Sequence, residues 1–148
     1  MKRLALLLPL FALFGCEVSV EESTDVEYLN LPGSPPDLPF SSAVRAGDTL
    51  YLSGNIGNLP GTLELAAGGI EGETRQTMDN IAATLEAFGS SMDDVVKCSV
   101  FLADMSEWGA MNEVYRTYFR NPPARSALGA SGLALDARVE IECIAVLQ

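Results

Sequence analysis

Hydrophobic spacing changes along this chain in a way that separates helices from strands. Across residues 73–88, ETRQTMDNIAATLEAF, the apolar positions Met78, Ile81, Ala82, Leu85 and Phe88 fall at helical intervals, and Gly89 supplies a stop. A second helix is predicted over about 107–119, with Trp108, Met111, Tyr115 and Tyr118 on one stripe that core packing accounts for. Elsewhere the pattern shortens to strands. SAVRAG and TLYLSGNIG read as two strands joined by the turn residues Ala46, Gly47 and Asp48. TLEL is a candidate third strand or edge, residues 94–103 are β-rich, and two further strands are expected near 126–128 and 138–147. Strands alternating with two long helices predict an α+β layer whose helices cover one face of a sheet. Thr74, Arg75 and Gln76 are assigned to the start of the first helix and its solvated face.

The N-terminal stretch breaks from this pattern. MKRLALLLPLFALFG places Lys2 and Arg3 before an apolar run too short for a membrane span, which is the arrangement of a secretion signal over residues 1–15. It ends at Leu13-Phe14-Gly15-Cys16, which resembles the lipobox of bacterial lipoproteins, with Phe14 bulkier than is usual for its place. Cys16 is then the expected lipidation site, and Glu17 after it implies sorting to an outer membrane. Residues 16–37 are acidic and then proline-rich, and are expected to be a tether. Residues 38–148 are expected to hold the single domain that a chain of 148 residues accommodates. The expected location is the cell envelope, through a lipid anchor.

Charge and missing residue types narrow the chemistry. The net charge is −11, and removing residues 1–15 takes the basic total from 9 to 7 against 20 acidic residues, giving −13. Such a surface repels phosphate backbones, which argues against nucleic acid as a partner. There is no histidine, so histidine-based triads are excluded. With only Cys98 and Cys143 besides Cys16, transition-metal chemistry is not expected, and neither is a cofactor. The two cysteines are expected as small buried hydrophobes, with a disulfide as the alternative that an oxidising compartment permits. Catalysis is left to Arg, Glu, Asp, Tyr, backbone groups and water. Two places stand out for their lone charges: Arg125 behind Pro122-Pro123-Ala124, and Glu140 and Glu142 within VEIECIAV. Strand alternation puts both glutamates on the same side.

Several segments together resemble the RidA family, also called the YjgF/YER057c/UK114 family. They are PFSSAV (39–44), LYLSGNIG (50–57), ETRQTMDNIAATLEAFGSSMDDVVKCSVFLADM (73–105), MNEVYRTYF (111–119), PARSAL (123–128) and VEIECIAV (139–146). The resemblance spans 38–147 in order. Its most specific part runs from Pro123-Ala124-Arg125-Ser126 through 129–133 to Val139-Glu140-Ile141. It implies a chorismate-mutase-like fold, a mixed sheet with two helices on one face, assembled as a homotrimer with ligand clefts between subunits. It also implies hydrolysis of reactive 2-imino acids and their enamine tautomers to 2-keto acids and ammonia.

The family's carboxylate-binding arginine corresponds to Arg125, and its water-positioning glutamate to Glu140. A guanidinium offers a carboxylate two parallel donors, and a carboxylate near the C=N carbon passes protons between water and departing ammonia. By the same resemblance Phe40, Ser53, Gly54, Asn112 and Ala127 line the substrate, with Phe40 where tyrosine is common and Ala127 where cysteine often stands. Two features depart from the family. Gly132-Leu133-Ala134 replaces the common Arg-Leu-Pro before the last strand, and Asn55 and Gly57 replace Gln and Pro in SGQIP. Two alternatives to an imine deaminase stay open: a non-catalytic trimer that binds small carboxylates through Arg125, and an acidic scaffold or holdase.

Overall fold

Alternation within residues 139–146 organises the whole domain. Val139, Ile141, Cys143 and Ala145 are buried, while Glu140, Glu142, Ile144 and Val146 turn the other way. This strand therefore has one core face and one open face, as period-two patterning requires.

The computed structural model describes residues 25–147. Seven strands form one sheet: β1 (Val26–Leu29), β2 (Ala43–Ala46), β3 (Thr49–Leu52), β4 (Asn55–Ile56), β5 (Val95–Leu102), β6 (Ala124–Gly129) and β7 (Val139–Val146). The strands follow the order β1-β2-β3-β7-β5-β6, with β4 also paired to β7. The β5–β6 pairing is parallel and the others are antiparallel. Two helices, α1 (Gly69–Ala87) and α2 (Trp108–Tyr115), cover one face. This is the predicted α+β layer. The single parallel pair needs a long crossover, and α2 lies within it.

The core lies between the helices and the inward residues of the sheet. Met78, Ile81 and Leu85 of α1 are fully buried against Leu50, Val100, Leu102 and Ile141. Each such side chain contributes roughly 1.5–3 kcal/mol by leaving water. The helix begins four residues earlier than its apolar spacing predicted, because Ile70, Glu73 and Thr74 are buried as well. Thr74 is thus a core residue and not part of a solvated face. At the other end Gly89, at φ 79°, lets the Ser90 and Gly89 N–H groups donate to the carbonyls of Leu85 (2.9 Å) and Glu86 (3.2 Å). That doubly bonded glycine stop satisfies carbonyls that the helix end would otherwise leave open.

Three sequence expectations are corrected here. TLEL forms no strand; only an isolated bridge joins Asn58 to Leu65. The tether expected over 16–37 extends into the fold, since Val26–Leu29 pairs along its length with β2 as an edge strand. Four residues amid acidic neighbours carry too little period to announce a strand. The expected signal peptide, Cys16 and the first part of the tether lie outside the described residues.

The third correction concerns the cysteines. Cys98 and Cys143 are cross-strand partners in β5 and β7, with Cα atoms 4.1 Å apart, and they form a disulfide instead of two separate thiols. Both are buried, so the bond crosses the middle of the core. Closing a loop between residues 45 apart in sequence constrains the unfolded chain. Replacing both cysteines by alanine is expected to cost about 3 kcal/mol. Equilibrium urea unfolding of the pair variant against the oxidised protein checks this; an unchanged midpoint would contradict it.

Candidate active site

Arg125 lies in β6 opposite Cys98 of β5, so its side chain leaves the sheet on the helix-covered face. There α2 receives it. The guanidinium carbon sits 4.7 Å from the centre of the Tyr115 ring and 5.8 Å from that of Trp108, both cation–π distances. Its Nη1 donates to Asn112 Oδ1 at 2.6 Å. Among the described residues no carboxylate pairs with Arg125. A structural arginine stitched into an ion pair would look different. Here the cation lies over aromatic rings and is braced from one side, with donors left over for an anion.

An open groove of ≈ 460 Å³ adjoins it, lined by Asn112, Tyr115, Phe119, Pro123 and Arg125 among others. Tyr115 is buried and its hydroxyl has no partner among the described residues. Burial pushes its phenol up to about 12, against the pull of the nearby Arg125. It therefore stays neutral at ordinary pH and offers Arg125 a π face and no charge. Ala127, two residues along β6, turns to the same face and packs against the core.

Trp108, Asn112 and Tyr115 are spaced four and three residues apart, one stripe of α2. Sequence reading gave the aromatics of that stripe to the core alone. Met111 and Tyr115 are indeed buried, but Trp108 is 43% exposed and serves as a wall for Arg125. The signal was present: an asparagine on an aromatic stripe, facing a lone arginine elsewhere in the chain. Asn112 itself braces Arg125 and thereby spends its carbonyl oxygen.

Glu140 belongs to a separate cluster. It lies opposite Phe101 of β5 and Ile56 of β4, on the sheet face away from the helices. Its carboxylate rests over Gly54: a Cβ placed on that glycine would come within 2.0 Å of Glu140 Oε1. Glu140 makes no ion pair among the described residues. Ser53 beside Gly54 uses its hydroxyl to hold the preceding loop, donating to the Ser41 carbonyl at 2.6 Å. Phe40 stands in that loop, 55% exposed. Glu142 shares the open face with Glu140 and lies opposite Ser99.

The candidate residues thus form two half-sites. Arg125, Asn112 and Ala127 lie with α2 on the covered face; Glu140, Gly54, Ser53 and the loop bearing Phe40 lie on or beside the open one. Within one chain the sheet separates the Arg125 half from the Glu140 half. No group of three or more His, Cys, Asp or Glu side chains converges among the described residues.

Gly54→Ala tests the second half directly. The added methyl must displace the Glu140 carboxylate, because the clash lies far inside van der Waals contact. Turnover is expected to fall about tenfold or more, with little change in affinity for a carboxylate held by Arg125. Steady-state kinetics on imines made in situ give the split; an unchanged kcat would mean the position of Glu140 does not matter.

The chain is similar to several known proteins. Residues 33–147 match the family described as Endoribonuclease L-PSP. The chain is 41% identical over 122 residues to a 2-iminobutanoate/2-iminopropanoate deaminase of Dermatophagoides farinae, covering 81% of this chain and 95% of that protein. It is 43% identical over 109 residues to a mouse protein of the same name, covering 73% and 81%. The crystal structure of the yeast protein YEO7 superposes with a TM-score of 0.78 at 33% identity, covering 84% of this chain and all of that one.

Proposed function

Because the chain belongs to the RidA (YjgF/UK114) family, we propose that it hydrolyses reactive 2-imino acids and their enamine tautomers to 2-keto acids and ammonia. The observation that carries this reading is Arg125, stacked on Tyr115, braced by Asn112 and paired with no carboxylate among the described residues. It is prepared for the carboxylate of a small planar substrate.

The reaction needs little more than a placed water and a proton carrier. Water adds to the C=N carbon while the π electrons move to nitrogen, giving a carbinolamine. Glu140 accepts a proton from that water and returns it to nitrogen. Glu140 next takes the carbinolamine hydroxyl proton and hands it to the amine, so that the C–N bond breaks as the C=O bond forms and ammonia leaves. Gly54 lets carboxylate and substrate approach without a side chain between them.

Arg125 and Glu140 face opposite ways in one chain, so each site draws Arg125 from one copy and Glu140 from the next. A closed ring of three copies supplies three such junctions. We place the protein in the cell envelope on the strength of residues 1–16, as a lipid-anchored assembly. The family description includes an endoribonuclease, but a net charge of −11 and the absence of histidine argue against RNA as substrate.

An amino-acid oxidase generating 2-imino acids in the presence of semicarbazide provides the test. The protein, prepared from Glu17 onward, is expected to lower the yield of semicarbazone, and Arg125→Ala is expected not to. No suppression from an assembled wild type, across several amino acids, would replace the hydrolase with a carboxylate-binding module.

A further inference from the structure

Glu73 is an acidic residue where acids are rarely found. It lies one turn into α1, 5% exposed, on the helix face that packs against the sheet. A buried carboxylate is costly unless its oxygens are satisfied, so its partners reveal what it is kept for. Oε2 accepts the backbone N–H of Arg138 at 2.8 Å, and Oε1 lies 3.8 Å from Arg138 Nε. The Arg138 guanidinium reaches on to Glu107, and its carbonyl accepts the N–H of Ala103 at 3.0 Å. Arg138 is the residue before β7. It is held from both sides of its backbone, and it lies two residues before Glu140.

The other strand beside Glu140 is tied to the same helix. Gly57 follows β4, and a Cβ there would meet Glu73 Cα and the Glu73 carbonyl oxygen at 2.7 Å. About two turns further along α1, Asn80 Nδ2 donates to the carbonyls of Ile56 (3.1 Å) and Asn58 (2.9 Å). Ile56 is the register partner of Glu140. The start of β7 and the end of β4 are therefore both fixed against α1, and Glu140 stands between them.

From this arrangement we infer that Glu73 is a positioning residue for Glu140, setting the phase of β7 through the Arg138 peptide. A slip of one residue in that strand would turn Glu140 into the core and Val139 outward. Smaller shifts would move the carboxylate away from Gly54, where its distance to the reacting carbon is decided. Glu73 touches no substrate and acts only through the backbone two residues before Glu140. The inference rests on the reading of Glu140 as the group that handles water.

The experiment compares Glu73→Ala, Glu73→Gln and Glu73→Asp with wild type. It measures kcat on imines generated in situ and, separately, the Kd for 2-oxobutanoate by calorimetry. Alanine removes the acceptor and is expected to lower kcat about tenfold to a hundredfold, with the 2-oxobutanoate Kd within about twofold, because the Arg125 half-site is untouched. Glutamine keeps an acceptor oxygen and is expected to restore kcat to within about threefold of wild type. If the alanine variant does not assemble, aspartate, one methylene too short to hold the same peptide in place, is expected to show the same loss of kcat alone. A kcat within about twofold of wild type in the assembled variants would overturn the inference. So would parallel losses in kcat and 2-oxobutanoate affinity, the mark of general loosening. A wild type that does not hydrolyse imines would instead remove the proposed reaction while leaving the Glu73–Arg138 geometry to be explained.

Discussion

Arg125→Ala is expected to lower kcat/KM for 2-imino acids about a thousandfold, and Arg125→Lys to recover no more than about tenfold of that. The alanine variant loses the charged partner of the substrate carboxylate inside a groove with aromatic walls. The lysine result separates shape from charge. An ammonium keeps the positive charge, but it cannot lie flat on Tyr115 at 4.7 Å while donating to Asn112 and presenting two parallel N–H groups outward. Kinetics with oxidase-generated imines, alongside calorimetric Kd values for 2-oxobutanoate, measure both effects. Lysine activity near wild type would reduce the Tyr115 stack to packing.

Glu140→Gln is expected to cost about a hundredfold to ten-thousandfold in kcat while leaving 2-oxobutanoate binding intact. The amide keeps the size of the side chain and removes its capacity to take a proton. Mixing then separates one chain's contribution from its neighbour's. Arg125→Ala and Glu140→Gln proteins are each expected to be nearly inactive alone. Unfolded together and reassembled in equal amounts, they form mixed rings. In any mixed ring of three, one junction joins an intact Arg125 to an intact Glu140. Random assembly therefore restores roughly a quarter of the wild-type sites. No recovery would mean that both residues of a working site come from one chain.

The parts of the fold that follow from local pattern were readable in advance. VEIECIAV alternates, and its residues alternate between core and open face; Met78, Ile81 and Leu85 recur at helical spacing and are fully buried. What escaped notice depends on partners distant in sequence. Val26–Leu29 is a strand because β2 lies beside it, and nothing within those four residues demands it. Thr74 was assigned to a solvated helix start but is buried, and Glu73 finds its partner Arg138 65 positions away. The disulfide depends on β5 and β7 placing Cys98 and Cys143 directly opposite.

The site divides along the same line. Arg125, Glu140 and Asn112 were all named as candidates from the family resemblance. Their separation by the sheet was not, because it depends on the parallel register that sets Arg125 opposite Cys98 and on the antiparallel one that sets Glu140 opposite Phe101. The role of Trp108 was hidden for a related reason. An aromatic on a helix stripe signals burial, and only the position of Arg125 shows that this ring serves a cation.

The proposed site, divided between the two faces of a sheet and completed by a second copy, also makes activity answer to mass action. On dilution below the dissociation constant of such an assembly, every polypeptide keeps its full set of side chains, yet the number of complete sites falls to nothing. Specific activity then rises with total protein and reaches a plateau, as a binding isotherm does. Confining the chains to a surface would raise their encounter frequency and move the working concentration along that curve, so the proposed attachment at Cys16 would regulate turnover without touching a single reacting atom.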